Sequence, residues 1–283
     1  MGISKKKIGL ILGPLLFVLV MLFFNPENLN PEAKSILAST IWIAVWWITE
    51  CVPISVTALL PIILFPLTGG LDIKSTTASY GHNLVFLFVG GFIIALAIEK
   101  WNLHKRVALN IIKFTGTKKS RIILGFMIAT AILSMFISNT ATTIMILPVG
   151  MAIISKVSEN KNTDENVNFG KSLMIAIAYS ASIGGMATLI GTPPNMIFAG
   201  VVKESYGIEI SMLEWSIFGL PVSLFLLTIC WIYLTKIAFS FEDKNQISGK
   251  QEINNQLKKL GKFSNEEFKV AVIFGMTALG WIF

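Results

Sequence analysis

Long apolar runs recur along almost the whole sequence, and they restrict what this chain can fold into. The first run covers residues 8–24, the last covers residues 270–283, and eight more lie between them. Charged residues make up 14% of the chain, against about a quarter in soluble globular proteins. So few charges cannot keep this much apolar surface in water, whereas a bilayer requires helices of about 20 apolar residues. The sequence therefore predicts an all-α polytopic membrane protein.

The positive charges follow a membrane topology rather than a nucleic-acid-binding surface. The chain carries 23 Lys and Arg residues and a formal net charge of +7. If the N-terminus lies inside and residues 8–24 cross outward, only Lys34, Lys74 and Lys203 fall in outer segments. An excess of Lys and Arg on the cytoplasmic side is the usual orientation signal. We therefore predict a cytoplasmic N-terminus and no nucleic-acid partner.

Residues 122–155 form a long apolar segment that is interrupted by the polar residues 138–143. Arg121 precedes the segment and Lys156 follows it, which places both ends on the inner side. Each arm reaches about 23–24 Å, less than the hydrocarbon core of about 30 Å. These lengths predict a re-entrant helical hairpin. Its tip must face protein or a water-filled cavity, because polar groups are costly in lipid.

Residues 172–202 form a second apolar segment, which the sequence Gly-Thr-Pro-Pro-Asn interrupts at residues 191–195. The two prolines lack N–H donors and disfavour helix before them, so the carbonyls one turn earlier are released. The pattern predicts a broken helix, which is two half-helices with an unwound joint. The residues expected to shape this joint are Thr192, Pro193, Pro194 and Asn195.

Together the two interruptions predict a binding site without charged side chains. Free carbonyls, a hydroxyl and the Asn139 amide oxygen are hard ligands that suit a dehydrated Na⁺, and backbone N–H groups after Ser138 can meet an anion. Broken helices of this kind recur at transporter binding sites. The structural alternative is that the prolines only kink the helices and that the hydroxyls bond back to their own backbone.

A different kind of helix is predicted over residues 101–115. Its apolar side carries Leu103, Val107, Ile111 and Phe114 at helical spacing, which is typical of a helix lying in the inner membrane interface. A packed cytoplasmic helix is the alternative. A further helix is predicted over residues 251–260, in the polar stretch before the last apolar run.

Five motifs carry a family resemblance. They are Ser138-Asn139-Thr140, Gly-Thr-Pro-Pro-Asn at residues 191–195, Trp-Trp-Ile-Thr-Glu at residues 46–50, Thr-Ala-Leu-Leu-Pro at residues 57–61, and Trp-Asn-Leu-His-Lys-Arg-Val-Ala-Leu at residues 101–109. With these motifs the chain resembles the divalent anion:sodium symporter family, the transporters of dicarboxylates, citrate and sulfate. It is most similar to the bacterial sodium-dependent dicarboxylate branch.

The resemblance implies a domain organisation. The fold would be an inverted-repeat transporter, with this chain holding the first repeat and the start of the second near Val270. The resemblance also implies a homodimer, elevator-type alternating access and a bacterial plasma membrane. Three domains are expected. Residues 1–117 would hold scaffold spans and an interfacial helix, and residues 118–241 would form half of a transport domain, with the hairpin at 122–155 and the broken helix at 172–202. Residues 242–283 would hold a cytoplasmic linker and the truncated start of the second repeat.

The resemblance also implies roles for individual residues. The coupling ion would be Na⁺, bound by Ser134, Ser138, Asn139 and Gly191. The substrate carboxylates would contact Ser138, Asn139 and Thr140. The remaining ligands and a second sodium site would belong to the second repeat.

The function predicted from these observations is sodium-coupled import of C4-dicarboxylates such as succinate, malate or fumarate. Sulfate, citrate, another small anion and proton coupling remain alternatives, because hydroxyl and N–H donors accept any small dianion. An intramembrane enzyme would need a nucleophile–base pair, paired carboxylates or a metal cluster at membrane depth. A channel would need a continuous polar lining. The apolar runs offer neither, so the chain is predicted to be a carrier and not an enzyme.

Overall fold

The computed structural model of the protein describes residues 5–116, 118–158, 164–239, 241 and 249–282. Within these ranges the chain forms helices joined by loops and contains no β-strand. The predicted all-α fold class is therefore confirmed.

Contacts divide the chain into a first unit, Met1–Phe86, and a second unit, Leu87–Phe283. This is a division by packing, and the functional domains predicted at 1–117, 118–241 and 242–283 stay a prediction. The first part of the expected linker, residues 242–248, lies outside the described residues.

The first unit is built on two helices that pack closely along each other. Its helices are α1 (Lys5–Phe23), α2 (Pro31–Thr49), α3 (Ile54–Thr57), α4 (Leu60–Leu67) and α5 (Ile73–Tyr80). Asn30 begins α2, because its side-chain oxygen accepts the N–H three residues later at 2.7 Å. Two glycines bring α1 close to α2, since a Cβ at Gly9 would overlap Thr49 and one at Gly13 would lie 2.7 Å from Trp42.

The second unit has α10 at its centre. Its elements are α6 (Asn83–Lys100), which starts in the first unit, α7 (Leu103–Thr115), α8 (Lys119–Ser134), α9 (Asn139–Ser158), α10 (Asp164–Gly185), α11 (Pro193–Tyr206), α12 (Met212–Ile232), a π-helical extension (Tyr233–Ala238), α13 (Gly249–Lys259) and α14 (Asn265–Ile282). Helix α10 packs against α8, α9 and α12. The side chains of Phe126, Phe169 and Ile177 are 0% exposed, and each such burial contributes about 1.5–3 kcal/mol.

Four helical stretches are long and apolar enough to cross a bilayer. Within the described chain they are Lys5–Phe23, Ile73–Lys100, Asn139–Val157 and Met212–Ala238. They keep large apolar side chains on their surfaces, such as Ile11 at 69% and Phe218 at 73% exposure. Exposed apolar surface on this scale is characteristic of contact with lipid, as expected for a polytopic membrane protein.

The two arms of the predicted hairpin differ in length. Helix α8 has 16 residues and α9 has 20, which correspond to about 24 Å and about 30 Å. Helix α9 is longer than predicted because its helical hydrogen bonding continues past Lys156 to Ser158. Only α8 is therefore shorter than the hydrocarbon core, and the re-entrant hairpin stays a prediction.

Helix α7 buries a face that is shifted from the predicted apolar stripe. Of the stripe, Leu103 is buried and Val107 and Ile111 are half-buried against the core, whereas Phe114 is 87% exposed. His104 and Ile112, which lie beside the stripe, are buried. The buried face meets α8, where a Cβ on Gly125 would lie 3.1 Å from the Ile112 Cα. His104 is accommodated because its Nδ1 lies 3.2 Å from the Ile98 carbonyl oxygen, and burial lowers its pKa. The position of α7 relative to a membrane stays a prediction.

Arg106 joins α7 to the start of α14. Its guanidinium donates to both carboxylate oxygens of Glu267, at 2.8 and 3.1 Å, and to three backbone carbonyls of the α13–α14 loop. Glu267 is 3% exposed, and its carboxylate also accepts the Ser264 N–H at 2.8 Å. The hydrogen bonds from Arg106 are the main reason why the pKa of Glu267 lies below its ordinary value.

We expect Glu267→Gln to lower the thermal stability of the full-length protein in detergent at pH 7. Removing one member of a buried ion pair costs about 3–5 kcal/mol, and we expect the lower end because the Arg106 side chain is 16% exposed. Since folding lowers the pKa of Glu267, the carboxylate stabilises the fold fully above its unfolded-state pKa and loses this effect as the pH falls through its folded-state pKa. The difference in melting temperature between Glu267→Gln and wild type should therefore disappear at acidic pH.

The control for this experiment is Glu266→Gln, in the same first turn of α14. It should melt close to wild type at each pH. A gap between Glu267→Gln and wild type that stayed constant down to acidic pH would contradict the assignment to the ionised carboxylate.

Candidate ion and substrate site

Two helix breaks lie next to each other in the second unit. The first comprises residues 135–138, between α8 and α9, and the second comprises residues 186–192, between α10 and α11. They fall inside the segments 122–155 and 172–202. Both interruptions expected from the sequence are therefore present as breaks in the helical structure.

In the first break, Ser138 starts the new helix. Its Oγ accepts the Ala141 N–H at 3.3 Å, which is the usual role of a serine at the N-cap. The N–H groups of Asn139 and Thr140 lie in the first turn of α9, where a helix offers no partner of its own. The tip of the first break thus presents two backbone donors.

In the second break, Pro193 and Pro194 explain why the helix opens. Neither proline can donate to the carbonyl four residues earlier, so the carbonyls of Leu189 and Ile190 lose their helical partners. Thr192, directly before the prolines, is extended, with φ −150° and ψ 142°, as is usual for a residue that precedes proline.

The Asn195 side chain forms hydrogen bonds with two backbone carbonyls of this joint. Its amide nitrogen donates to the carbonyl oxygens of Gly185 at 3.0 Å and Thr188 at 2.8 Å. Asn195 is 7% exposed, so both bonds are shielded from water. A third carbonyl of the joint, that of Met186, accepts the indole N–H of Trp215 at 3.0 Å.

These bonds determine which backbone oxygens stay available to a cation. Across the described joint, no hydrogen bond ends on the carbonyls of Leu189, Ile190 or Gly191. A buried carbonyl without a donor is costly, and a dehydrated cation can remove that cost. The end of the joint that precedes α11 therefore offers three consecutive carbonyl oxygens, whereas at its beginning the carbonyls of Gly185, Met186 and Thr188 already accept hydrogen bonds.

The segments around the two breaks contact each other through Gly185 and one hydroxyl, and Gly191 packs back onto Gly185. A Cβ on Gly185 would overlap the Asn139 amide, and a Cβ on Gly191 would lie 2.5 Å from the Gly185 carbonyl oxygen. The Thr188 hydroxyl donates to the carbonyl oxygen of Met135 in the first break. The close approach requires the absence of side chains at both glycines.

The structure brings three of the four predicted sodium ligands together. The Ser134 hydroxyl donates to Asn139 Oδ1 at 2.7 Å, and Ser134 is 0% exposed. Asn139 and Gly191 both lie against Gly185. Ser138 adjoins Asn139 in the chain and is half-buried. We call these residues the junction cluster, which consists of Ser134, Ser138, Asn139, Gly185 and Gly191.

The other predicted residues lie around this cluster. Thr140 is exposed, and no described contact places its side chain in the cluster. Thr192 is half-buried, and Pro193 and Pro194 are exposed. Asn195 is buried against the joint, as described above. The roles of all these residues in ion and substrate binding stay predictions.

The junction cluster contains no charged side chain. Across the described residues there is also no group of three His, Cys, Asp or Glu side chains that could hold a metal ion. The polar atoms offered by the cluster are hydroxyls, an amide, backbone carbonyls and the N–H groups at the start of α9. These groups can meet a hard cation through oxygen and an anion through N–H.

Thr188, whose hydroxyl joins the two breaks, was not predicted from the sequence. The signal that could have identified it is a hydroxyl residue between a glycine pair and a proline pair, where the chain cannot stay helical. Trp215 was also not predicted, because the carbonyl that accepts its indole N–H, that of Met186, lies 29 residues away in the chain.

Comparison with known proteins identifies the family of this chain. Residues 44–283 match the protein family described as "Citrate transporter". The chain therefore belongs to this family of transporters and is an integral membrane protein. This membership agrees with the resemblance found in the motifs at residues 138–140 and 191–195.

Two relatives are close in sequence. The sodium-dependent dicarboxylate transporter SdcS of Staphylococcus saprophyticus is 48% identical over 279 residues, which cover 97% of this chain and 54% of the relative. SdcS of Staphylococcus aureus is 48% identical over 291 residues, which cover 99% of this chain and 56% of the relative. The chain thus spans about half the length of these relatives. Both names are those of transporters and not of enzymes.

We expect Gly185→Ala to disrupt the contact between the two breaks. The added Cβ would overlap the Asn139 amide, and overpacking of this kind costs about 1–3 kcal/mol. The variant should melt several degrees below wild type in detergent. The control is Gly275→Ala in α14, where a Cβ meets nothing within 4 Å. Equal melting temperatures for the two variants would contradict the close approach at Gly185.

Proposed function

We propose that the full-length protein is a sodium-coupled secondary transporter that imports C4-dicarboxylates such as succinate, malate and fumarate. The observation that carries this proposal is the meeting of two helix breaks in an uncharged junction cluster. The names of the two SdcS relatives support sodium as the coupling ion and a dicarboxylate as the substrate class.

In the proposed site, Na⁺ binds the oxygens of Ser134, Ser138, Asn139 and Gly191. Ser134 now donates its proton to Asn139 Oδ1 at 2.7 Å. For both oxygens to face a cation, the hydroxyl must turn its proton away and present a lone pair. The Gly191 carbonyl needs no such change, because it belongs to the part of the joint that no described hydrogen bond uses.

The substrate carboxylate is bound at the start of α9 by Ser138, Asn139 and Thr140. Thr140 contributes through its backbone N–H, which together with that of Asn139 has no helical partner in the first turn. The positive end of the helix dipole also favours an anion there. One carboxylate is thereby held on the same residues that bind the cation.

Sodium supplies the charge that the junction cluster lacks. A dianion leaving water for an apolar interior loses several kcal/mol of hydration unless charge or hydrogen bonds replace it. A Na⁺ ion on Asn139 and Gly191 would lie next to the bound carboxylate and offset that loss. The transmembrane sodium gradient then drives import.

The wider architecture is also proposed. The relatives are about twice as long as this chain, which leaves room for a second inverted repeat that begins near Val270 and completes the site. We propose a homodimer in a bacterial plasma membrane, with a cytoplasmic N-terminus. Each protomer moves its transport domain past a fixed scaffold in an elevator-type cycle.

The test of this function is uptake of radiolabelled succinate into proteoliposomes that contain the full-length protein. Uptake should require Na⁺ outside and should stop when K⁺ or choline replaces it. Unlabelled malate and fumarate should compete with the labelled succinate. Competition by citrate or sulfate would point to these alternative substrates. Uptake that is independent of Na⁺ but is driven by a pH gradient would contradict sodium coupling and indicate proton coupling.

We expect Asn139→Ala to abolish sodium-dependent uptake without lowering membrane expression, because it removes an oxygen that both ligands use. The matched control is Asn110→Ala in α7, where the side chain also makes a half-buried bond, to the Arg106 carbonyl at 2.8 Å. The control should transport normally. An Asn139→Ala variant with wild-type sodium dependence would remove Asn139 from the site.

A further inference from the structure

We propose that Thr188 is a positioning residue that holds the two helix breaks in register and thereby sets the sodium affinity of the junction cluster. This inference rests on the proposed function. Thr188 lies in the second break and is 6% exposed. Its hydroxyl donates to the carbonyl oxygen of Met135 in the first break.

The bond joins the two segments that carry the proposed sodium ligands. Met135 directly follows Ser134 in the chain. On the other side, the Thr188 carbonyl accepts the Gly191 N–H at 3.4 Å and the Asn195 amide at 2.8 Å. Thr188 is therefore fixed to the first break by its side chain and to the second by its backbone.

This hydrogen bond has no substitute between the breaks. Residues 135–138 and 186–192 are all described, and between these two ranges it is the only hydrogen bond. The neighbouring contacts at Gly184 and Gly185 are close packing without hydrogen bonding. Packing limits how near the breaks come, whereas the Thr188 bond also fixes how far one can slide along the other.

A shift of one break along the other should affect cation affinity more than the stability of the fold. Ligands must be held within about 0.5 Å of the productive geometry to bind well. Ser134 and Asn139 lie on one side of the Thr188 bond and Gly191 on the other, so a shift between the breaks moves the oxygens apart. The core around α10 is held by the packing of α8, α9 and α12 against it, so we expect the fold to tolerate the loss of this one hydrogen bond.

The decisive variants are Thr188→Val, which keeps the shape but removes the donor, and Thr188→Ser, which keeps the donor. In succinate uptake by the full-length protein, Thr188→Val should raise the half-saturating Na⁺ concentration on the order of tenfold, as the loss of one buried hydrogen bond would. The maximal rate at saturating Na⁺ should stay near wild type. Thr188→Ser should restore wild-type sodium affinity.

Thr235→Val is the matched control. Thr235 is also 6% exposed and also donates to a backbone carbonyl, that of Trp231 at 2.7 Å, but it lies in the extension of α12. It should leave the sodium affinity unchanged. A second measurement, the rise in melting temperature of purified protein with added NaCl against choline chloride, reports sodium binding without transport.

The outcomes separate this inference from the proposed function. Wild-type protein that neither stabilises with Na⁺ nor needs it for uptake overturns both. If wild-type uptake depends on sodium but Thr188→Val has the same half-saturating Na⁺ concentration as wild type, only the role of Thr188 is overturned. The same holds if Thr188→Val lowers the maximal rate and leaves the sodium affinity unchanged. If Thr188→Val and Thr188→Ala both fail to fold, the residue is structural and the inference is wrong.

Discussion

A backbone group that leaves helical hydrogen bonding inside an apolar protein must find another partner. The organisation of the second unit follows from this constraint. Asn195 satisfies two carbonyls at the beginning of the second break, and the Thr188 hydroxyl satisfies one in the first. Three consecutive carbonyls at the end of the second break, those of Leu189, Ile190 and Gly191, accept no described hydrogen bond, and the first N–H groups of α9 have no helical partner. In this way the demand for hydrogen bonds also defines where a ligand can bind.

The parts of this arrangement with local causes could be predicted from the sequence. Pro193 and Pro194 break a helix wherever they occur, and the polar residues 138–143 cannot continue an apolar helix into lipid. The end of α9 and the buried face of α7 were predicted less well. Helix ends depend on a few weak hydrogen bonds, and His104 can be buried because the Ile98 carbonyl is within reach of its ring.

Contacts between distant segments could not be predicted in the same way. Thr188 and Met135 are 53 residues apart, and Arg106 and Glu267 are 161 apart. A hydroxyl or a guanidinium shows that a partner is needed, but which partner it finds follows only from the packing of α8 with α10 and of α7 with α14. The meeting of Asn139 with Gly191 around Gly185 was implied by family resemblance and not by spacing. Tertiary packing, which the pattern of apolar residues does not specify, decides such pairs.

The absence of a charged side chain from the described junction cluster has a consequence for coupling. A buried Lys or Arg would attract an anion in every state of the transporter and would have to be desolvated even when the site is empty. In the proposed site, a sodium ion held only by hydroxyl, amide and carbonyl oxygens would bring its charge when it binds and take it away when it leaves. By linkage, if sodium raises the affinity of this site for the anion, the anion must raise the affinity for sodium by the same factor. A cluster of neutral dipoles at two helix breaks is therefore better suited to obligatory coupling than a fixed cation would be.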